Sequence, residues 1–449
     1  MEILKSALDT FFSFKAYVML PFIMLALALI VRLNLRDALF AALKLGVGFA
    51  SIFVVFSFFV DNIKPAVEAI VNIRGLDYPV LDVGWPPLAA ITWSSFIAPL
   101  SIILVLFLNI ILIASNLTKT IYIDIWNYWH FAFLGALVSA VTHNIWLAIA
   151  ATLLIATITI KLSDWAAVYI KRETGLESIT ISPVSVVGIL PLSAALDFLY
   201  DKIPGIKNLS ANPEKAQKKG NLLAEPMVVG LLLGIVLGIL AAYPVKKLLE
   251  LSVNIAAVMY LLPLAGELIA KGIQPISHNL KELIQKRFPA KKELYVAVDT
   301  GILMQHRSVI VSGLILMPIS ILIAFFLPGN KVIPIGDLPN LISVMSISAL
   351  LYRGNVIRTV LTGIPVVTSY LLISSKLAPL FTTLSKGSGV DLPKDHQITA
   401  FTDGGHQLRY YLLELFSGKT WAIIAIPAVL LLFFAIYKHS TRTQKEENK

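Results

Sequence analysis

Cysteine is absent from all 449 residues. That excludes a disulfide, a thiolate metal site and a cysteine nucleophile in this chain. Charge is scarce: Asp, Glu, Lys and Arg make up 14%, where a soluble domain carries roughly 25%. Hydrophobic residues make up 57%, and the mean hydropathy is +0.80. A water-soluble fold of this length cannot hide such a deficit, so lipid is the expected solvent. The sequence also lacks a Walker-type glycine loop, a serine nucleophile elbow and any His/Glu spacing suited to a metal. No catalytic residue, metal site or cofactor is therefore expected. Residues 1–15 are amphipathic with no small-residue cleavage site behind them, so the first apolar run is expected to remain in the protein.

What is present is a succession of apolar runs. They cover 16–31, 38–60, 96–114, 131–140, 146–160, 228–242, 255–270, 309–327, 338–351, 360–374 and 421–437. Several fall short of the ~20 residues that a straight membrane crossing needs. Short runs with polar flanks suit a protein-lined interior. The expected fold class is an all-α polytopic membrane protein with about eleven transmembrane helices, plus re-entrant hairpins.

The net charge of +10 has a pattern. Arg32 and Arg36 follow the first run, and Lys161, Lys171 and Arg172 the fifth. Lys202, Lys207, Lys215, Lys218 and Lys219 fill the longest polar loop. Lys281, Lys286, Arg287, Lys291 and Lys292 follow the seventh run, Arg353 and Arg358 the ninth, and Lys438, Arg442, Lys445 and Lys449 the last. With eleven crossings all of these share one side. The positive-inside tendency makes that side cytoplasmic, with the N-terminus outside and the C-terminus inside. Lys246 and Lys247 are exceptions, and the Thr142-His143-Asn144 turn on the other side carries no Lys or Arg. Nucleic acid is not an expected partner, because the cations flank apolar runs without interleaved aromatic residues.

Three landmarks recur in the same order at a nearly constant offset. Asp61-Asn-Ile-Lys-Pro65 pairs with Lys271-Gly-Ile-Gln-Pro275, Asp82-Val-Gly84 with Asp299-Thr-Gly301, and Ile179-Thr-Ile-Ser-Pro183 with Ile398-Thr-Ala-Phe-Thr-Asp403. Each is expected to interrupt a helix beside an apolar run. Paired interruptions in two halves point to a transporter's substrate site at the repeat interface. The chain then divides into a first repeat (1–200), a solvated linker (201–224), a second repeat (225–420) and a last crossing with tail (421–449). An odd number of crossings per repeat inverts the second copy. Gly84, Pro86 and Pro87 prevent a continuous helix through the first break.

Several groups are candidates for ligand contact. Asp299 and His306, seven residues apart, would share one face of a helix. An acid in an apolar setting is a functional candidate; Asp299 reads equally as a helix N-cap. Asn127 and His130 share a face within Asp124-Ile-Trp-Asn-Tyr-Trp-His130. Aromatic rings beside amide and imidazole suit a polyhydroxylated ligand, or else form an interfacial aromatic belt. Trp85, Thr92 and Trp93 carry the same two readings. Ser182 and Ser185 lie in one irregular stretch (177–200). Asp403, Gly404, Gly405 and His406 lie in its repeat mate (391–416), where paired glycines admit close backbone approach, or form an ordinary turn. Asp82 and Glu225 are gating or structural candidates. His278, His396 and His439 read as solvated, and His143 as a loop residue.

Taken together, several stretches resemble the galactitol-specific IIC components of the bacterial phosphotransferase system, over nearly the whole chain. They include Val18-Met-Leu-Pro21, Asp82-Val-Gly-Trp-Pro86, Thr92-Trp93, Asp124-Ile-Trp-Asn127, Trp129-His130, Gly135-Ala-Leu137, Asp164-Trp165 and Glu225-Pro226. Ala256-Ala-Val-Met259, Pro328-Gly-Asn330, Gly336-Asp-Leu338, Gly354-Asn355, Arg358-Thr359 and Gly404-Gly405 complete the set. More distantly the chain is similar to the ascorbate-specific IIC components. The resemblance implies a permease of the bacterial inner membrane that binds an external sugar or polyol. A cytoplasmic IIB subunit, recharged through IIA, would phosphorylate the solute on arrival. It also implies a core domain moving like an elevator against a V-shaped dimerisation domain in a homodimer, with Asp299 on substrate. Where galactitol-type chains carry a His-Gly-Thr-like segment, this chain reads Ser182-Pro-Val-Ser185, so the implied substrate widens to a polyol or related sugar. The competing reading is an ion-coupled secondary transporter in which Asp82 and Asp299 bind a proton or sodium.

Overall fold

The structure is a computed structural model that describes residues 16–73, 78–217, 225–287, 293–386, 388 and 396–447. Residues 1–15, Lys218, Lys219, Lys291, Lys292, Lys449 and residues 391–395 lie outside the described part.

Six helices among the described residues are long and apolar enough to cross a membrane. These are α2 (Leu35–Ile73), α4 (Ile97–Ala114), α6 (Ile145–Thr174), α12 (Val245–Arg287), α13 (Arg307–Phe326) and α15 (Val356–Ser385). Four of the other five expected runs form shorter helices: α1 (Ala16–Ile30), α5 (Trp129–Thr142), α11 (Pro226–Leu240) and α14 (Asn340–Leu351). The last run splits between Thr420–Ile424 and Ile426–Glu447. Helices α5 and α14 are apolar all round because they are buried in protein; Trp129 to Val138 are all buried.

The expected breaks at Pro65 and Pro275 do not occur. Both prolines sit inside the continuous helices α2 and α12. These two helices run antiparallel in close contact. A Cβ on Gly48 would meet Ile269 and the Ala265 carbonyl, and one on Gly272 would meet the Ala41 carbonyl. Small residues at such a crossing let two backbones approach, which is how helices associate without a hydrophobic driving force in lipid. Asn254 donates to Asn62 across the same interface at 2.6 Å. Helix α1 packs on α2 and α11 on α12, so these four form one unit.

The breaks at the other two landmark pairs are real, and they are not helical. Short strands occupy them: β1 (Val80–Asp82), β2 (Thr120–Ile121), β3 (Ile179–Ile181), β4 (Tyr295–Val298), β5 (Val332–Ile333) and β6 (Gln397–Thr399). The expected all-α class therefore becomes mostly helical with two small parallel sheets. One sheet has the order β5-β1-β6 and the other β2-β4-β3. Each places a strand of one half between two strands of the other. Extended backbone deep in an apolar protein must pair its N–H and C=O groups, and six isolated segments do so by crossing between halves.

Candidate substrate site

The strand ends deliver three loops from each sheet to the middle of the protein. At the end of β1, Asp82 accepts from Gly84 N at 3.2 Å, Asp337 N at 3.0 Å and Phe401 N at 3.0 Å. Asp337 returns the arrangement, accepting from Trp85 N at 3.2 Å, Thr402 N at 3.0 Å and the Thr402 hydroxyl. These carboxylates tie the three loops of the first sheet into a knot. Gly84 is required there: its φ is +76°, and a Cβ would lie 2.8 Å from the Gly336 carbonyl oxygen.

At the end of β4 the same Asp-x-Gly turn recurs, with Gly301 N donating to Asp299 at 3.1 Å. The backbone knot does not. Asp299 instead accepts from the Asn127 side chain at 3.2 Å and from the Thr300 hydroxyl at 3.4 Å. The Asn127 amide also donates to Asp124 at 2.6 Å, and the Ser182 hydroxyl donates to the same Asp124 oxygen at 2.6 Å. Where Asp82 is held by backbone donors alone, Asp299 takes one backbone and two side-chain donors and is only partly buried.

A cavity opens at Asp299. Its lining includes Phe49, Phe53 and Phe56 of α2, Trp85, Trp126, Asn127, Trp129, His130, Ser185, Met304, Asn340, Ser343 and Asp403. Trp85 stacks on Trp129 with ring centroids 6.4 Å apart, and Trp129 stacks on His130 at 4.0 Å. The His130 Nδ1 lies 3.3 Å from Asp403 and 3.0 Å from the Arg409 guanidinium, which also contacts Asp403 at 3.6 Å. Asn340 donates to Thr402 at 2.8 Å and to Asp403 at 3.4 Å. The wall therefore combines flat aromatic faces, carboxylate acceptors and amide donors.

Of the residues singled out in the sequence, Asp299, Asn127, His130, Trp85, Ser185 and Asp403 meet at this cavity. Ser182 stands one shell behind it, on Asp124. Thr92 donates to the Leu88 carbonyl of its own helix, and Trp93 packs on Trp126. His406 caps the helix Gln407–Phe416 by accepting from Arg409 N. Gly404 and Gly405 lie against Phe381 and Tyr370. Asp82 holds the knot, and Glu225 sits at the N-cap position of α11. His306 does not share a face with Asp299, because a 3-10 turn (Thr300–Gln305) separates them. His306 instead pairs with Glu214 at 2.8 Å and lies 3.8 Å from Glu173. Burial opposes both charges, but their mutual attraction and hydrogen bonding outweigh it. Glu214, with Ser308 as a further donor, is held at about 2, and His306 is raised to about 9 by Glu173 and Glu214.

Sequence reasoning missed Asp337, Asn340, Ser343, Arg409 and the α2 phenylalanines as parts of the centre. Signals existed for two of these. Asp337 follows Asp124 by 213 residues, close to the 217 that separate Asp299 from Asp82. Phe49, Phe53 and Phe56 have the i, i+4, i+7 spacing of one helix face.

A family of PTS system sugar-specific permease components (EIIC-GAT) matches residues 10–395. The chain belongs to this family. It is 32% identical over 415 residues to the PTS system galactitol-specific EIIC component of Escherichia coli (strain K12), covering 92% of this chain and 90% of the relative. The galactitol-specific EIIC component of Escherichia coli O157:H7 matches at the same 32% with the same coverage. A permease IIC component of Escherichia coli (strain K12) is 30% identical over 422 residues, or 94% of this chain and 96% of the relative. The chain is thus a multi-pass PTS IIC permease component, with the cavity at its centre. Membership carries a sugar-type substrate and cytoplasmic IIB and IIA partners as general properties of the family.

Proposed function

We propose that this permease binds galactitol or a closely similar polyol or sugar from outside and carries it inward for phosphorylation by a cytoplasmic IIB subunit. The observation that carries the reading is the cavity in which Trp85 and Trp129 stack beside the partly exposed Asp299 carboxylate. A polyol has apolar C–H faces and hydroxyl edges. The indoles take the faces. Asp299 and Asp403 accept from hydroxyls, and Asn127, His130, Asn340 and Ser343 supply the remaining donors and acceptors. The likeness to galactitol-specific relatives agrees with this chemistry.

In this reading the two halves are inverted repeats. The antiparallel crossing of α2 and α12 and the exchange of central strands between the sheets support that relation. The first repeat spans 1–200, the linker 201–224, the second repeat 225–420 and the last helix with its tail 421–449. The unit of α1, α2, α11 and α12 is the dimerisation domain, and the rest is a core that moves against it as an elevator. The interruptions are re-entrant, and the basic side is cytoplasmic, with the N-terminus outside. Ion pairing gathers Arg172, Arg353, Arg358 and Arg442 with Glu173, Asp197, Asp201 and Glu446 at one end of the core, as a common side requires.

The test is titration of the purified protein with galactitol, other hexitols and ascorbate, followed by tryptophan fluorescence. Galactitol or a near relative should quench the cavity indoles saturably, and Asp299→Asn should weaken binding by about 1–2 kcal/mol, since bonds to charged groups are the stronger ones. No saturable response to any polyol or sugar would contradict the reading.

A further inference from the structure

The segment joining the two halves is tied through one acid to the far end of the turn that carries Asp299. Residues 209–217 are docked on the core by specific bonds. The Asn355 side chain donates to the Leu209 carbonyl at 2.9 Å, and Val356 N donates to the Ala211 carbonyl at 2.8 Å. Asn212 donates to the Arg353 carbonyl at 2.8 Å and accepts from Lys215 N at 3.0 Å, which starts the short helix Pro213–Gln217. From that helix Glu214 enters the N-terminus of α13. It accepts from Ser308 N at 2.9 Å and from the Ser308 hydroxyl, and it pairs with His306 Nδ1 at 2.8 Å. His306 is where the 3-10 turn Thr300–Gln305 ends and α13 begins, and Asp299 caps the other end of that turn.

We propose that Glu214 is a positioning residue for Asp299, fixing from the linker the turn that presents this carboxylate to the ligand. The proposal rests on reading the cavity as the substrate site. A 3-10 segment has poor hydrogen-bond geometry and little stiffness of its own, so its ends decide where it lies. Asp299 is the end on the cavity. Glu214 secures the other end, satisfying the free Ser308 N–H of α13 and placing a negative charge where the helix dipole favours one.

Charges of both signs surround this contact. Helix α6 contributes Glu173 to His306, with Arg172 Nε on Glu173 at 2.5 Å. Lys215 neighbours Glu214 on the linker helix, Arg307 follows His306 on α13, and Glu225 and Glu267 line the adjoining cavity with Glu214 and Arg307. His306 faces acids on two sides and keeps its proton over the neutral range; the pair dissolves as pH rises through about 9. No residue pattern marks this arrangement, because Glu214 lies in a lysine-rich loop that reads as a solvated linker.

Hydrogen exchange on the purified full-length protein tests it, with galactitol binding measured on the same samples. In Glu214→Gln, amides of 300–306 should exchange about tenfold faster, while those of 122–130 across the cavity stay unchanged. Glu214→Asp should recover part of the protection. Galactitol affinity should drop several-fold in Glu214→Gln, and the loss of affinity at high pH should begin at a lower pH than in the wild type. Unchanged exchange at 300–306 would overturn the proposal, and so would faster exchange throughout the protein, which is general loosening. Selective loosening of 300–306 in a protein that binds no galactitol even as wild type would uphold the positioning and remove the galactitol reading instead.

Discussion

Two aspartates that look alike in the sequence have different surroundings, and the difference separates structure from binding. Asp82 takes three backbone donors from three loops, whereas Asp299 takes one backbone donor and two side-chain donors and stays partly exposed at the cavity. Asp82→Asn puts an amide NH2 against backbone N–H groups and removes charge-assisted bonds, so it should cost about 2–4 kcal/mol of stability. Asp299→Asn should leave stability within about 1 kcal/mol and reduce affinity instead. Thermal unfolding of both variants beside ligand titration checks the contrast; equal melting temperatures would remove the distinction. Asn127→Ala and His130→Ala should each weaken ligand binding several-fold, at about 0.5–1.5 kcal/mol per neutral hydrogen bond, in protein that purifies normally. Normal affinity in both would move these residues to a packing role. The sequence made Asp299, Asn127 and His130 legible because a polar side chain in an apolar run stands out. It misplaced His306, since helical spacing was assumed where a 3-10 turn intervenes, and a change of backbone period leaves no trace in residue types.

At the scale of elements, the long helices were legible and the strands were not. Apolar runs mark the positions of α2, α4, α6, α12, α13 and α15, but the runs 146–160, 255–270 and 360–374 cover only part of α6, α12 and α15, so those lengths were not legible. The strands are two to four residues each, and their pairing joins segments from opposite halves, so no local pattern reveals it. Proline was over-read as a helix breaker. Pro65 and Pro275 stay inside helices where neighbouring packing tolerates the lost hydrogen bond. Gly84→Ala combines a left-handed residue with a contact to the Gly336 backbone and should cost about 2–4 kcal/mol, read as lost yield and melting temperature. A neutral outcome would mean that the knot is loose. The Glu214–His306 pair has its own pH signature. The folded-state pKa of His306 is raised from 6.5, so its stabilisation is complete below pH 6.5 and lost as pH rises through about 9. Glu214 is depressed from 4.5, so its share is complete above pH 4.5 and lost as pH falls through about 2. Between pH 6.5 and 9.5 the melting temperature should fall more steeply in the wild type than in Glu214→Gln. Parallel profiles would show that the pair contributes nothing.

At the scale of the whole molecule, composition and paired interruptions carry the reading. Low charge and long apolar runs make a membrane protein, and recurring interruptions bring both halves to one cavity. The four-helix unit of α1, α2, α11 and α12 keeps large apolar side chains outward, among them Phe40, Val54, Leu232 and Leu249. Such surface suits lipid or a second copy, and a dimer is the proposed state. Gentle detergent extraction should give the mass of two chains; a single-chain mass under those conditions would contradict it. The central claim is that this cavity serves phosphoryl-linked uptake. Its most direct test is accumulation of labelled galactitol in membrane vesicles, with and without phosphoenolpyruvate and the soluble phosphotransferase proteins, comparing wild type with Asp299→Asn. The account predicts phosphorylated product inside only when the soluble partners and phosphoenolpyruvate are present, reduced in Asp299→Asn. Concentration of unmodified solute driven by a proton or sodium gradient alone, and abolished in Asp299→Asn, would contradict it.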